Sequence, residues 1–110
     1  MIRSIEKFYG KDIEKSDSYG RIINSRHFNR IKAMIEKDRN GILFGGKTDE
    51  KTKYIEPTLI EVSSRAAETM KEEIFWPILP VMTYNDLDKA IYGIKSEPKP
   101  LALYLFTSCK

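Results

Sequence analysis

The sequence has 110 residues, of which 41% are hydrophobic and 32% charged, with a formal net charge of +3. This is the composition of one soluble globular domain near the small end of the range. Its charges are interspersed, as at Lys71-Glu72 and Asp49-Glu50-Lys51. No basic stripe with interleaved aromatics is present, which argues against a nucleic-acid partner. The single cysteine, Cys109, rules out an intrachain disulfide. Met1 is followed by no apolar leader, and no run approaches the roughly 20 apolar residues of a membrane span, so the expected setting is soluble and cytoplasmic.

In chain order, residues 1–9 carry Ile2, Ile5 and Phe8/Tyr9 at helical spacing and read as the tail of a helix closed by Gly10. Residues 11–21 are polar and read as a loop. Asn24 or Ser25 can cap a helix running to about Asp38, with Phe28, Ile31, Met34 and Ile35 as its apolar stripe and Asn40-Gly41 as its stop. A short strand over Ile42–Phe44 is expected next, then a turn at Gly45-Gly46. Residues 54–62 read as extended, with Pro57 marking an edge or a bend, and residues 66–73 as a short helix. A strand is expected over 78–84, near a sheet edge or at a bulge because of Pro80. Asn85 is the expected cap of a further helix, in which Leu87, Ala90, Ile91 and Ile94 share a face. Asp86 and Asp88 sit in its first turn and Pro98 ends it. The apolar run 101–106 has the pattern of a strand buried on both faces.

Alternating helices and strands of this kind imply an α/β fold with a mostly parallel sheet and flanking helices. The chain opens within a helix and closes just after its most apolar strand, so further chain is expected beyond it. Residues 1–110 read as one partial domain.

Few residues offer chemistry. Gly45-Gly46 lacks the spacing of a dinucleotide fingerprint or a P-loop and reads as a turn. His27, the only histidine, has no nucleophile or second ligand near it in sequence and reads as structural. No catalytic or metal-ligating set can be assembled, and Cys109 reads as an incidental thiol. The stretch Glu72-Glu73-Ile74-Phe75-Trp76-Pro77 is different. A carboxylate two residues from an aromatic ring can accept hydrogen bonds from a ribose diol while the ring covers one face of a nucleotide cofactor. Alternatively, it is the solvated end of a helix running into a strand. An acid–base role for Glu72 or Glu73 would require a dry cleft.

Four blocks, in order, carry a resemblance. They are Phe8-Tyr9-Gly10 with Tyr19-Gly20-Arg21-Ile22-Ile23-Asn24, Arg26-His27-Phe28 and Arg30; Tyr54-Ile55-Glu56-Pro57-Thr58-Leu59; Glu72-Glu73-Ile74-Phe75 with Pro77; and Lys99-Pro100-Leu101-Ala102-Leu103-Tyr104 with Phe106. Together they resemble the later part of the catalytic domain of the aldehyde dehydrogenases, closest to the class 3 branch. The resemblance implies NAD(P)-dependent oxidation of an aldehyde to a carboxylic acid. It implies that Glu73 accepts hydrogen bonds from the nicotinamide-ribose hydroxyls and that Phe75 packs beside that ribose and ring. It also places the nucleophilic cysteine, the general-base glutamate, the oxyanion asparagine and the dinucleotide-binding domain before this segment, and a final segment after it. The 110-residue chain alone is therefore expected to be inactive and to bind no cofactor. Trp76 stands where the family usually has glycine, and an indole there is expected to crowd the cofactor or repack the turn. A second expectation is a non-catalytic module that self-associates through apolar faces left bare.

Overall fold

The computed structural model describes residues 1–108, so the thiol of Cys109 lies outside the described residues. Among the described residues there are three α-helices: α1 (Ile2–Tyr9), α2 (Ser25–Lys37) and α3 (Leu87–Lys95). Five short strands accompany them: β1 (Ile42–Phe44), β2 (Thr48–Asp49), β3 (Tyr54–Ile55), β4 (Thr58–Glu61) and β5 (Ile78–Val81).

Helix α2 forms where its local signals agree. The Asn24 side chain accepts the His27 amide at 2.9 Å, satisfying a donor the helix itself cannot use. The four expected apolar positions, Phe28, Ile31, Met34 and Ile35, are all buried. They pack with Ile22, Ile55, Ile60, Val62 and Ile78, so the helix lies across one face of the sheet. α1 ends at Gly10 as its spacing predicts.

The α/β reading stands, but parallel pairing is confined to one ladder. β1 and β4 pair antiparallel, as do β2 and β3, and only β4 and β5 run parallel in the order β1-β4-β5. The cause is connection length. Residues 50–53 between β2 and β3 suit a hairpin, whereas the 62–77 connection is long enough for a crossover. The β1–β2 turn needs glycine. Gly45 sits at φ 81, and a Cβ there would come within 2.1 Å of the Pro57 carbonyl oxygen. Thr58 Oγ1 takes the Gly46 amide and Glu56 takes the Lys47 amide, so these donors are spent on the turn and not on a phosphate.

Four other expectations shift. The 54–62 segment divides at Pro57 into β3 and β4. Residues 66–73 form only a 3-10 turn over Glu68–Met70: the Met70 and Lys71 amides donate three residues back, to the Ala67 and Glu68 carbonyls, and Asp38 accepts the Glu68 and Thr69 amides. β5 stops at Val81. α3 is capped by Asp86, not Asn85, through the Lys89 amide at 3.1 Å.

The 101–106 run belongs to no β-ladder among the described residues, and its large side chains are 72–102% exposed. An apolar run becomes a buried strand only when other elements cover it, and here none does. Pro80 pairs with Ile60 across the parallel ladder. The Thr58 and Val62 amides donate to the Pro77 and Val81 carbonyls, so the odd-numbered residues of β5 face β4. Pro80 therefore turns its missing N–H toward the open edge.

Candidate functional site

The stretch 72–77 leads from the 3-10 turn at Glu68–Met70 into β5. Its side chains alternate. Ile74 and Trp76 pack against the core cluster, while Glu72, Glu73 and Phe75 are exposed, Phe75 to 83%. The backbone of Phe75 has φ 72, in the left-handed region that side chains other than glycine rarely adopt. Pro77 is buried behind a cis Trp76–Pro77 bond, and its carbonyl accepts the Thr58 amide at 3.0 Å. Of the two sequence readings of this stretch, the solvated helix end does not form. A turn anchored at both ends presents a carboxylate and an aromatic ring to solvent.

One anchor is Arg30 on α2. Its Nη1 donates to the Glu73 carbonyl at 3.2 Å and its Nη2 to the Ile74 carbonyl at 3.1 Å, and Nη1 also lies 3.4 Å from a Glu72 carboxylate oxygen. Sequence reasoning noted Arg30 within a matching block but gave it no role, because its partners lie 43 and 44 residues away. The other anchor is Trp76. Its ring centroid is 4.7 Å from that of Tyr19, which is edge-on to Tyr9 at 5.1 Å and to Tyr54 at 5.8 Å. Trp76 packs on the core side of the turn while Phe75 faces solvent.

The aromatic cluster is itself fixed. The Tyr19 hydroxyl donates to the Ile55 carbonyl at 2.7 Å, and Arg21 sits 4.9 Å from the centre of the Tyr54 ring. Burial, with Tyr54 and Tyr9 as nearby ionisable rings, pushes the Tyr19 hydroxyl well above its ordinary value. Burial, helped by Glu56, pushes Tyr54 up to about 12. Both rings therefore stay neutral and serve as packing, not as acids or bases.

The remaining candidates stand apart. His27 is exposed in the first turn of α2, so it is not a core histidine. Glu72 is exposed beside Arg30, without the dry cleft an acid–base role requires. Among the described residues no group of three or more His, Cys, Asp or Glu could hold a metal ion, and no helix is long and apolar enough to cross a membrane. The chemistry on offer at the 72–77 turn is recognition: an anionic acceptor and a flat apolar ring, two residues apart.

Residues 2–109 match the aldehyde dehydrogenase family, and the chain belongs to that family. It is 45% identical over 104 residues to aldehyde dehydrogenase family 3 member A2 of Rattus norvegicus, covering 94% of this chain and 21% of that protein, so the class 3-like branch fits. It is 44% identical over 105 residues to the dimeric NADP-preferring aldehyde dehydrogenase of Bos taurus, covering 96% and 43%. The fold matches a substrate-bound structure of Staphylococcus aureus AldH with a TM-score of 0.93 and 44% identity, over 99% of this chain and 24% of that one. The chain thus spans between about a fifth and under half of the length of these relatives.

Proposed function

We propose that this chain is a partial catalytic domain of an NAD(P)-dependent aldehyde dehydrogenase that oxidises an aldehyde to a carboxylic acid, and that it supplies the contacts to the nicotinamide ribose. Glu73 accepts hydrogen bonds from the two ribose hydroxyls, and Phe75 packs against the ribose and the adjoining ring. The cofactor, when bound, supplies the hydride acceptor. This chain's part is to orient it. The observation that carries the reading is that Glu73 and Phe75 both face solvent on one turn whose backbone is tied to α2 and whose far end is packed into the core. A reducing, cytoplasmic setting accords with one cysteine in 110 residues.

The test is a graft. Residues 2–109 replace the matching segment of Staphylococcus aureus AldH, and Glu73→Gln is made in the graft. The expected result is a loss of kcat/KM for NAD+ of about 10- to 100-fold, the scale of charge-assisted hydrogen bonds. An unchanged value would remove Glu73 from the cofactor site. The isolated chain is expected to give no aldehyde-dependent NADH signal.

A second reading, a self-associating module, is favoured by one observation. Leu87, Tyr92 and the large apolar residues of 101–106 are all more than half exposed. The relative named as dimeric fits self-association of the intact protein but does not distinguish the two readings.

A further inference from the structure

We propose that Arg30 is the positioning residue of the ribose-contact turn, a role that rests on the reading of Glu73 and Phe75 just given. The two carbonyls it binds, at 3.2 and 3.1 Å, belong to successive peptide planes. The second of these, the Ile74–Phe75 plane, carries the Phe75 nitrogen. Fixing it sets one side of the bond about which φ of Phe75 is measured. On the other side, Trp76 is held by its tilted packing on Tyr19, with ring centroids 4.7 Å apart. A side chain at φ 72 persists only where its surroundings over-determine it, and these two anchors do so.

The guanidinium suits the task because its planar fork donates in two directions at once from a charge that is never lost. Its base is equally firm. Arg30 lies between Phe28 and Ile31, which are buried to 0% and 3% exposure on α2, and its own side chain is only 25% exposed. The pairing with Glu72 draws the first carboxylate of the pair to Arg30. Glu73, whose carbonyl and not its carboxylate meets Arg30, keeps its side chain free of that contact. Arg30 thereby sorts the two adjacent glutamates into one that ties the turn down and one that faces outward.

The experiment is a double-mutant cycle in the graft described above, with Arg30→Ala, Glu73→Gln and the pair, reading KM for NAD+ and kcat separately. Arg30→Ala is expected to raise KM about tenfold with a smaller change in kcat. The double variant is expected to lose less than the two single losses combined, because Arg30 acts through Glu73 and Phe75 and not on the cofactor itself. Arg30→Lys should recover less than half of the loss, since an ammonium cannot span both carbonyls. Additive effects would overturn the proposal by showing that Arg30 acts on its own. If Arg30→Ala leaves KM unchanged while Glu73→Gln raises it, Arg30 fails and the ribose reading survives. If Glu73→Gln changes nothing, both fall. Should the Arg30→Ala graft not fold, Arg30→Lys in the 110-residue chain serves by NMR. The Phe75 amide resonance must shift while those of Phe28 and Ile60 stay in place, and an unmoved Phe75 overturns the proposal.

Discussion

Tyr54 joins the aromatic cluster to the β2–β3 hairpin, and its hydroxyl carries a pH dependence that can be measured. Burial raises its pKa from the ordinary 10.0 to about 12, so the folded state favours the neutral ring. The resulting stability is fully present below pH 10. It declines as the unfolded chain begins to lose the proton there, and it is gone once pH has risen through about 12. Tyr54→Phe should flatten the fall in urea midpoint between those values. A decline as steep as in the parent chain would shift the cause to Tyr19 or elsewhere. Trp76 teaches a related lesson. The sequence supplies an indole where the family usually has glycine, and from that alone crowding of a ligand and repacking of the turn are equally available. Tyr19, 57 positions upstream, packs tilted against that indole at 4.7 Å, a contact that nothing in the local sequence announces.

At the scale of elements, local and distant causes separate cleanly. α2 is legible because its cap, stripe and stop lie within one stretch of chain, and the same holds for the turn at Gly45-Gly46 and the close of α1 at Gly10. Glu73 and Phe75 were legible as candidates from their order in the motif. Arg30's hold on them was not, because a contact across 43 residues leaves no periodic trace. The segment 66–73, expected as a helix, also has a distant partner that its own sequence does not reveal. Asp38, at the end of α2, accepts the Thr69 amide and hydroxyl at 2.8 Å each and the Glu68 amide at 3.3 Å. These bonds tie the 3-10 turn to the end of α2. Thr69 is 2% exposed, so Asp38→Ala would leave its amide and hydroxyl unpaired in a dry place. We expect a cost of about 2–3 kcal/mol in urea unfolding and a smaller cost for Asp38→Asn, which retains one acceptor. Equal costs for the two variants would mean that charge, not hydrogen bonding, is what Asp38 contributes.

Over the whole molecule, packing is uneven. The radius of gyration is 15.4 Å, against about 13 Å for a compact domain of this length. Two helices, α1 and α3, bury none of their residues, and 101–106 lies open. Apolar surface of that extent favours association, and light scattering on the purified chain should show a mass above that of one copy, rising with concentration. A constant monomer mass at high concentration would count against the second reading. It would leave the cofactor reading untouched, since that depends on the turn held by Arg30 and Trp76.

The open edge of β5 limits the form such association can take. An added strand would look for donors from the even-numbered residues of β5, and Pro80, in the middle of that row, has none to give. The sheet therefore resists growth by templated stacking of strands, the route to fibres, along its β5 edge. One ring closed over a backbone nitrogen lets this edge remain sticky through its side chains while offering an incoming strand an interrupted row of donors.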